Sequence, residues 1–340
     1  MKTIFVVDDS DTNLSMVETA LEDQYNVITI PSAQKMFLFL KKLTPDLILL
    51  DIEMPEMNGI EALQKLKSSE EYRNIPVIFL TGRKDIDIEV SGFRIGAVDF
   101  ITKPFSEVIL KNRVKTRLGI DQIIRERTAQ LYKLKDGVIS VLAEIVEYRD
   151  ISVKGHVDRT TEYMKILINA MKERGVYADE LQKWDIDTIV SSARLHDIGK
   201  IVVSDEILNK NARLNSDEYE IVKCHALEGE RIIGKIAERT KEEEFLNNAK
   251  IFAGCHHERW DGTGYLRGLK GTEIPLQGRI MAIIDVYDAL VSKRPHRNAY
   301  TDEEAVEIIM QKIGKKYDPK IAEVFYEVKD HFKAVRKNAS

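Results

Sequence analysis

The sequence predicts two unlike folds in one chain, an α/β doubly wound five-stranded domain followed by an all-α domain. Three observations predict this. Over about the first 105 residues, short continuous apolar runs alternate with longer amphipathic stretches, as in strands buried on both faces of a parallel sheet. From about Lys135 onward, apolar residues recur at helical spacing instead. All seven histidines lie after residue 155, within that helical region.

The strand candidates are Ile4 to Val7, Val27 to Ile30, Leu47 to Leu50, Val77 to Leu80 and a weaker run around Ala97 to Ile101. Helices are expected at Asn13 to Leu21, Ala33 to Leu43, Ile60 to Lys67 and Ile86 to Arg94. Five strands with intervening helices make a doubly wound sheet. Ser106 to about Leu134 has one Gly and no Pro, with an apolar stripe among charges. This reads as the domain's last helix running on, with a break allowed at Gly119; the stripe is buried either in a coiled coil between two protomers or by packing on its own domain. Beyond it, helical periodicity marks Val138 to Val146, Thr161 to Met171, Ile186 to Leu195, Tyr219 to Ile233, Leu246 to Ala253, Ile280 to Val291, Ala305 to Ile313 and Ile321 to Phe332. The expected boundaries are residues 1–118, a connector at 119–135, and 136–340.

Composition narrows the function classes. The 340 residues carry 51 basic against 56 acidic side chains, a net charge of −5. Phosphate-backbone affinity comes from clustered Lys and Arg, so a DNA-binding role is not expected. Two cysteines exclude both a disulfide framework and a four-cysteine zinc site; both read as small buried residues. The chain lacks an apolar stretch of the ~18 residues a membrane span needs and a secretory leader, so a cytoplasmic protein is expected.

Ligands of doubly wound sheets bind beyond the carboxyl ends of the strands. Those ends carry Asp8 and Asp9, Asp51, Thr81, and Lys103 followed by Pro104. Three carboxylates on one rim repel each other unless a cation lies between them, and oxygen ligands suit Mg2+. The Asp8-Asp9 pair, the stretch DIEMPEMNG from Asp51 to Gly59, Thr81 and Lys103-Pro104 resemble the receiver domain of two-component response regulators, over about residues 1 to 120. The resemblance implies a phosphoryl group accepted on Asp51 from a histidine kinase. Asp8, Asp9 and Asp51 would hold Mg2+, while Thr81 and Lys103 would contact the phosphoryl oxygens. Phe100 stands where receivers carry an aromatic switch residue; as a residue alone it reads equally well as core.

In the helical region, His196 and Asp197 end an apolar stretch in ARLHDIGK, with Lys200 four residues after the histidine. His225, the pair His256-His257, Asp285 within RIMAIIDVYDALV, and His156 after SVKG complete the set. A buried carboxylate such as Asp285 is costly unless paired or bound to metal. Five histidines and two aspartates exceed one tetrahedral zinc and suit a two-metal centre.

The strings LHDIGK, HHERWDGTGY, IPLQGRI, DVYDAL and KRPHR resemble the HD-GYP family of cyclic di-GMP phosphodiesterases, from about Ala143 to Tyr326. The resemblance implies His156, His196, Asp197, His225, His256, His257 and Asp285 as metal ligands, with Asp197 bridging. It implies two iron ions, or manganese, as cofactor. Asp197 and Lys200 would serve catalysis, and Lys200, Tyr265, Arg294 and Arg297 would contact substrate. Three departures stand out: Leu266 replaces the proline after Gly264-Tyr265, removing a φ restraint; Ser152 stands where three-metal members have glutamate; and His296 replaces a common aromatic residue.

The expected protein is a response regulator that hydrolyses cyclic di-GMP to pGpG, GMP or both, controlled through Asp51. Expected partners are a histidine kinase, a second copy through the connector and receiver, and a diguanylate cyclase. Two other readings stand beside it: a module that binds cyclic dinucleotide or docks a protein without turnover, and a phosphodiesterase for another cyclic dinucleotide such as 3',3'-cGAMP.

Overall fold

Each apolar run near the N-terminus becomes one strand of a parallel sheet in the computed structural model. It describes residues 1–82, 86–104, 106–150, 155–240, 243–293 and 297–338. The elements run β1 (Thr3–Val7), α1 (Asp11–Leu21), β2 (Asn26–Ile30), α2 (Ala33–Leu40), β3 (Leu47–Asp51), α3 (Gly59–Lys67), β4 (Val77–Thr81), α4 (Ile86–Ile95), β5 (Asp99–Thr102) and α5 (Glu107–Arg149). Strand order is β2-β1-β3-β4-β5, and every neighbouring pair is parallel.

Side chains alternate across a strand, so each run feeds two cores. Phe5, Val7, Ile48, Leu50, Val77 and Phe79 pack on one face with Met36, Leu40, Ala62, Leu63 and Leu66 of α2 and α3. Ile4, Val6, Leu47, Leu49, Ile78, Leu80 and Ile101 pack on the other with Leu14, Val17 and Leu21 of α1 and Leu110, Val114 and Leu118 of α5. Burial on both faces explains why these strands lack polar alternation. Strand order reverses between β1 and β3, and Asp8 and Asp51 stand at those two carboxyl ends.

The chain divides into two compact units, Met1–Leu131 and Tyr132–Ser340, and the division falls within α5. No break occurs at Gly119: α5 is one helix of 43 residues. An interior glycine costs only about 1 kcal/mol relative to alanine, which an otherwise uninterrupted helix absorbs.

The second unit continues with α6 (His156–Glu173), α7 (Ala178–Leu181), α8 (Ile186–Ala193), a 3-10 helix (Ile198–Val202), α9 (Asp205–Leu208), α10 (Ser216–Thr240), α11 (Glu243–Cys255), α12 (Leu276–Val291), α13 (Asp302–Met310) and α14 (Pro319–Asn338). Helix α12 lies at its centre; Ile280, Met281, Ile283, Ile284 and Tyr287 are fully buried against α6, α8, α13 and α14. A smaller core joins Ile139 and Val146 of α5 to Leu195, Ile198, Ile233, Phe245 and Ala253. Cysteine burial differs from the sequence expectation: Cys255 is buried, but Cys224 is exposed on α10. Among the described residues no helix is long and apolar enough to cross a membrane.

Candidate functional site

On the sheet rim, Asp8, Asp9 and Asp51 each bring a carboxylate oxygen within 4.8 Å of the others. The Lys103 ammonium lies 2.7 Å from Asp8 Oδ2 and 2.8 Å from Asp51 Oδ1. Asp8 is fixed further by the Ser10 amide at 2.9 Å and by Asn13 Nδ2 at 2.9 Å. Burial pushes the Asp51 carboxyl up, against the lowering effect of Lys103. Burial opposes charge on Lys103 as well, yet Asp51 and Asp8 carry its pKa above the usual lysine value. Thr81 is buried at the end of β4. Phe100 is buried too, edge-on to Phe93 at 4.8 Å and tilted against Phe79 at 5.4 Å.

In the second unit, seven side chains from five segments meet. His156 opens α6, His196 and Asp197 lie between α8 and the 3-10 helix, and His225 lies within α10. His256 and His257 follow α11, and Asp285 lies within α12. Close packing of the 3-10 helix on α10 requires Gly199: a Cβ there would lie 1.9 Å from the His225 carbonyl oxygen.

Two triads form. His156, His196 and Asp285 keep their ligand atoms within 4.8 Å of each other, as do His225, His256 and His257. Asp197 stands between them: Oδ2 is 3.5 Å from His196 Nε2, while Oδ1 is 3.4 Å from His225 Nε2 and 3.7 Å from His256 Nε2.

The ring nitrogens indicate what the triads hold. A carbonyl oxygen only accepts, so His196 Nδ1 donates to Ala193 O (2.9 Å), His225 Nδ1 to Val222 O (2.5 Å) and His256 Nδ1 to Phe252 O (2.8 Å). Each neutral ring then presents a bare Nε2 lone pair to the centre. His225 Nε2 and His256 Nε2 face each other at 3.3 Å, and His156 Nε2 and His196 Nε2 do the same. Protonation is a poor remedy for the second triad: burial lowers the pKa of His256 and pushes His225 down to about 4. In the first triad burial lowers His196, while Asp288, Asp285 and Asp197 carry the His156 pKa up against its burial. Facing lone pairs in a buried site fit a cation in each triad, and the donors suit divalent transition metals. Despite burial, Lys200 and the neighbouring histidines hold the Asp197 carboxyl well below its usual range.

Lys200 joins the centre through Asp197 Oδ2 at 2.7 Å. Tyr265 lays its ring 4.8 Å from that of His257. Arg297 packs at the end of α12, donating to the Ala289 carbonyl and lying over the Tyr300 ring at 5.0 Å. Arg294, with Ser152 and His296, lies outside the described residues.

Sequence reasoning passed over three carboxylates here. Asp288, fully buried one turn beyond Asp285, takes His156 Nδ1 at 2.8 Å and Arg159 Nε at 2.7 Å. Its signal was the second aspartate of DVYDAL. Asp150 lies 3.2 Å from Lys200 Nζ. Glu258, next to the double histidine, accepts backbone amides of Arg267, Gly268 and Leu269 at 2.6, 3.2 and 3.0 Å. These bonds hold the backbone that directly follows Gly264-Tyr265-Leu266. Gly264 adds a close approach, since a Cβ there would lie 2.4 Å from the Arg259 amide.

The comparisons match this division of labour. Residues 4–115 match the response regulator receiver domain model and residues 140–321 the HD domain model. The chain belongs to the HD-domain response regulators. A probable cyclic di-GMP phosphodiesterase of Vibrio cholerae serotype O1 is 38% identical over 97% of this chain and 78% of its own length. The cyclic di-GMP phosphodiesterase response regulator RpfG of Xanthomonas campestris pv. campestris is 31% identical over 93% of this chain and 85% of its own. A 3'3'-cGAMP-specific phosphodiesterase 2 of Vibrio cholerae is 36% identical over 57% of this chain and 35% of its own. Membership makes the second unit a metal-dependent hydrolase domain whose cofactor is a divalent metal, and gives the receiver a phosphodonor.

Proposed function

We propose that this response regulator hydrolyses cyclic di-GMP, with its rate controlled by phosphoryl transfer from a histidine kinase to Asp51. The observation that carries the proposal is Asp197, whose two carboxylate oxygens face two separate histidine triads. In this reading His156, His196 and Asp285 hold one metal, His225, His256 and His257 the other, and Asp197 both. Iron is the metal proposed, with manganese as a substitute. When bound, two such cations supply Lewis acidity at phosphorus and an activated water at neutral pH.

The chain's own residues then bind and orient. Lys200 stands beside Asp197, 2.7 Å away, where its ammonium neutralises charge growing on a non-bridging phosphoryl oxygen. Tyr265, beside His257, offers a ring face to a guanine base. Arg294 and Arg297 are proposed for the second phosphate of this dianionic substrate. Water adds at phosphorus, the P–O3' bond breaks and the 3' oxygen takes a proton, giving linear pGpG; a second cut gives GMP. At the receiver, the Asp8, Asp9 and Asp51 carboxylates suit Mg2+, Lys103 and Thr81 would hold the phosphoryl oxygens, and Phe100 would respond to them. The proposed domains are 1–118 and 136–340 with the connector between them. Its exposed apolar seam is proposed to pair two copies, and a diguanylate cyclase is a further proposed partner.

A second reading, hydrolysis of 3',3'-cGAMP, is favoured by the 36% identity to the cGAMP-specific relative. Metal analysis of anaerobically purified protein, paired with hydrolysis of both dinucleotides, tests the two together. Two metals per chain with faster release of pGpG from cyclic di-GMP is the expected result. Intact cyclic di-GMP alongside two bound metals overturns the first reading, and faster cleavage of the mixed dinucleotide supports the second.

A further inference from the structure

The last turn of α5 carries Glu147 and Arg149, Asp150 follows directly, and each holds a different part of the metal centre's frame. Helix α6 begins at the ligand His156, but the residue before it is Gly155, in the left-handed region at φ 73° and without a side chain to cap the helix. The first amides of α6 therefore need a partner from elsewhere. Glu147 supplies it: its two oxygens accept the His156 and Val157 amides, each at 3.1 Å. A carboxylate at a helix N-terminus also meets the positive end of the helix dipole.

Arg149 fastens the opposite wall. Its guanidinium donates to the Ile201 and Val203 carbonyls at 2.6 and 2.8 Å and to Asp205 Oδ1 at 2.7 Å. These contacts fix the far end of the 3-10 helix that carries Lys200. Asp150, almost fully buried, then meets Lys200 Nζ at 3.2 Å, so the ammonium lies between Asp150 and Asp197.

We propose that Glu147 and Asp150 are positioning residues of the phosphodiesterase site, with Arg149 as their mount. Glu147 sets where His156 presents its ring to the first triad, and Asp150 sets where Lys200 meets phosphate. This rests on the two-metal phosphodiesterase reading. It adds that the end of α5 belongs to the site's machinery and does more than link two domains.

The test uses the full chain with Glu147→Gln and Asp150→Asn, each first shown to melt as the parent does. Apoprotein is titrated with manganese(II). The parent should bind two ions, whereas Glu147→Gln should weaken one of them by about 10- to 100-fold, the usual effect of losing an outer support of a metal ligand. Amide exchange at Val157 should accelerate in the same variant. Asp150→Asn should bind both ions as the parent does but lower kcat for cyclic di-GMP by about 10-fold or more with little change in KM. Parental manganese affinities for Glu147→Gln, together with parental kcat for Asp150→Asn, overturn the proposal. A parent that binds two ions but leaves cyclic di-GMP intact defeats the phosphodiesterase reading instead, and the Glu147→Gln titration still decides the positioning role. If Glu147→Gln melts early, Glu147→Asp replaces it in the titration and should weaken the same single ion. If Asp150→Asn melts early, Asp150→Glu replaces it and should lower kcat likewise, and a parental value in either case counts against the proposal.

Discussion

Asp288 shows how much of a metal centre depends on residues that touch no metal. Its carboxylate, fully buried, bridges His156 Nδ1 and the Arg159 guanidinium. That contact orients the His156 ring and leaves Nε2 facing the triad. Burial disfavours the charge on Asp288, but Arg159 and His156 outweigh it and lower its pKa. Asp288→Asn leaves Arg159 buried opposite a neutral amide, and breaking a buried pair costs about 3 kcal/mol or more. Denaturant titration of apoprotein should show that loss, and the first triad's metal affinity should fall about 10- to 100-fold. Unchanged stability would mean that Arg159 finds another counter-charge. At this scale, legibility depended on local context. Asp285 stood out because a carboxylate among apolar residues demands a partner. Asp288, one turn further along the same face, made the same demand in DVYDAL, but nothing near it in sequence named its partners. Its partners, His156 and Arg159, lie more than 120 positions away. Glu258 escaped for a similar reason: its work is to hold backbone amides of a loop, and backbone amides leave no trace in composition.

The elements were more legible than their ends. Continuous apolar runs implied buried parallel strands, and each run appears in the sheet within a residue or two. Helix α5 runs on past the first domain as its sequence suggests, and the break that Gly119 allowed does not occur. Among its exposed apolar residues, Ile120, Ile124, Leu131, Leu134, Val138, Val141, Ile145 and Tyr148 lie along one stripe, while Val108, Ile109, Ile123, Tyr132 and Leu142 are exposed off it. With Arg127 filling the one polar layer, the spacing alternates four and three, the repeat of a coiled-coil seam. Three of the four positions in register with Ile124 are β-branched, namely Ile124, Val138 and Ile145, whereas the alternate layers are mixed, so the spacing marks a seam without fixing how many copies share it. Leu134 is 64% exposed in the single chain, so it belongs to no core of its own. If two copies pair along this seam, Leu134→Glu buries two carboxylates in one layer. The penalty of about 3 kcal/mol or more corresponds to a dimer Kd raised on the order of 100-fold. Sedimentation equilibrium on parent and variant checks this; a parent that remains monomeric at high concentration removes the seam from consideration.

For the whole molecule, the net charge of −5 was the least informative number. It averages a sheet rim crowded with carboxylates and a histidine cluster that contributes nothing to the count while its rings are neutral. Chemistry is partitioned instead: the first unit has no histidine, and five of the seven in the second meet at one centre. The partition makes the receiver's role separable by experiment. Lys103 is already shared between Asp8 and Asp51, so a phosphoryl group on Asp51 must draw the ammonium toward its own oxygens and rearrange that rim. Asp51→Asn keeps the shape and the Lys103–Asp8 pair but offers no carboxylate to accept phosphorus. Acetyl phosphate with Mg2+ should change the parent's rate of cyclic di-GMP hydrolysis and leave the variant's rate where it was. The metal content of the histidine centre should be equal in the two proteins, which separates lost signalling from a damaged hydrolase. An acetyl phosphate response that persists in Asp51→Asn would place the phosphoryl acceptor elsewhere in the chain.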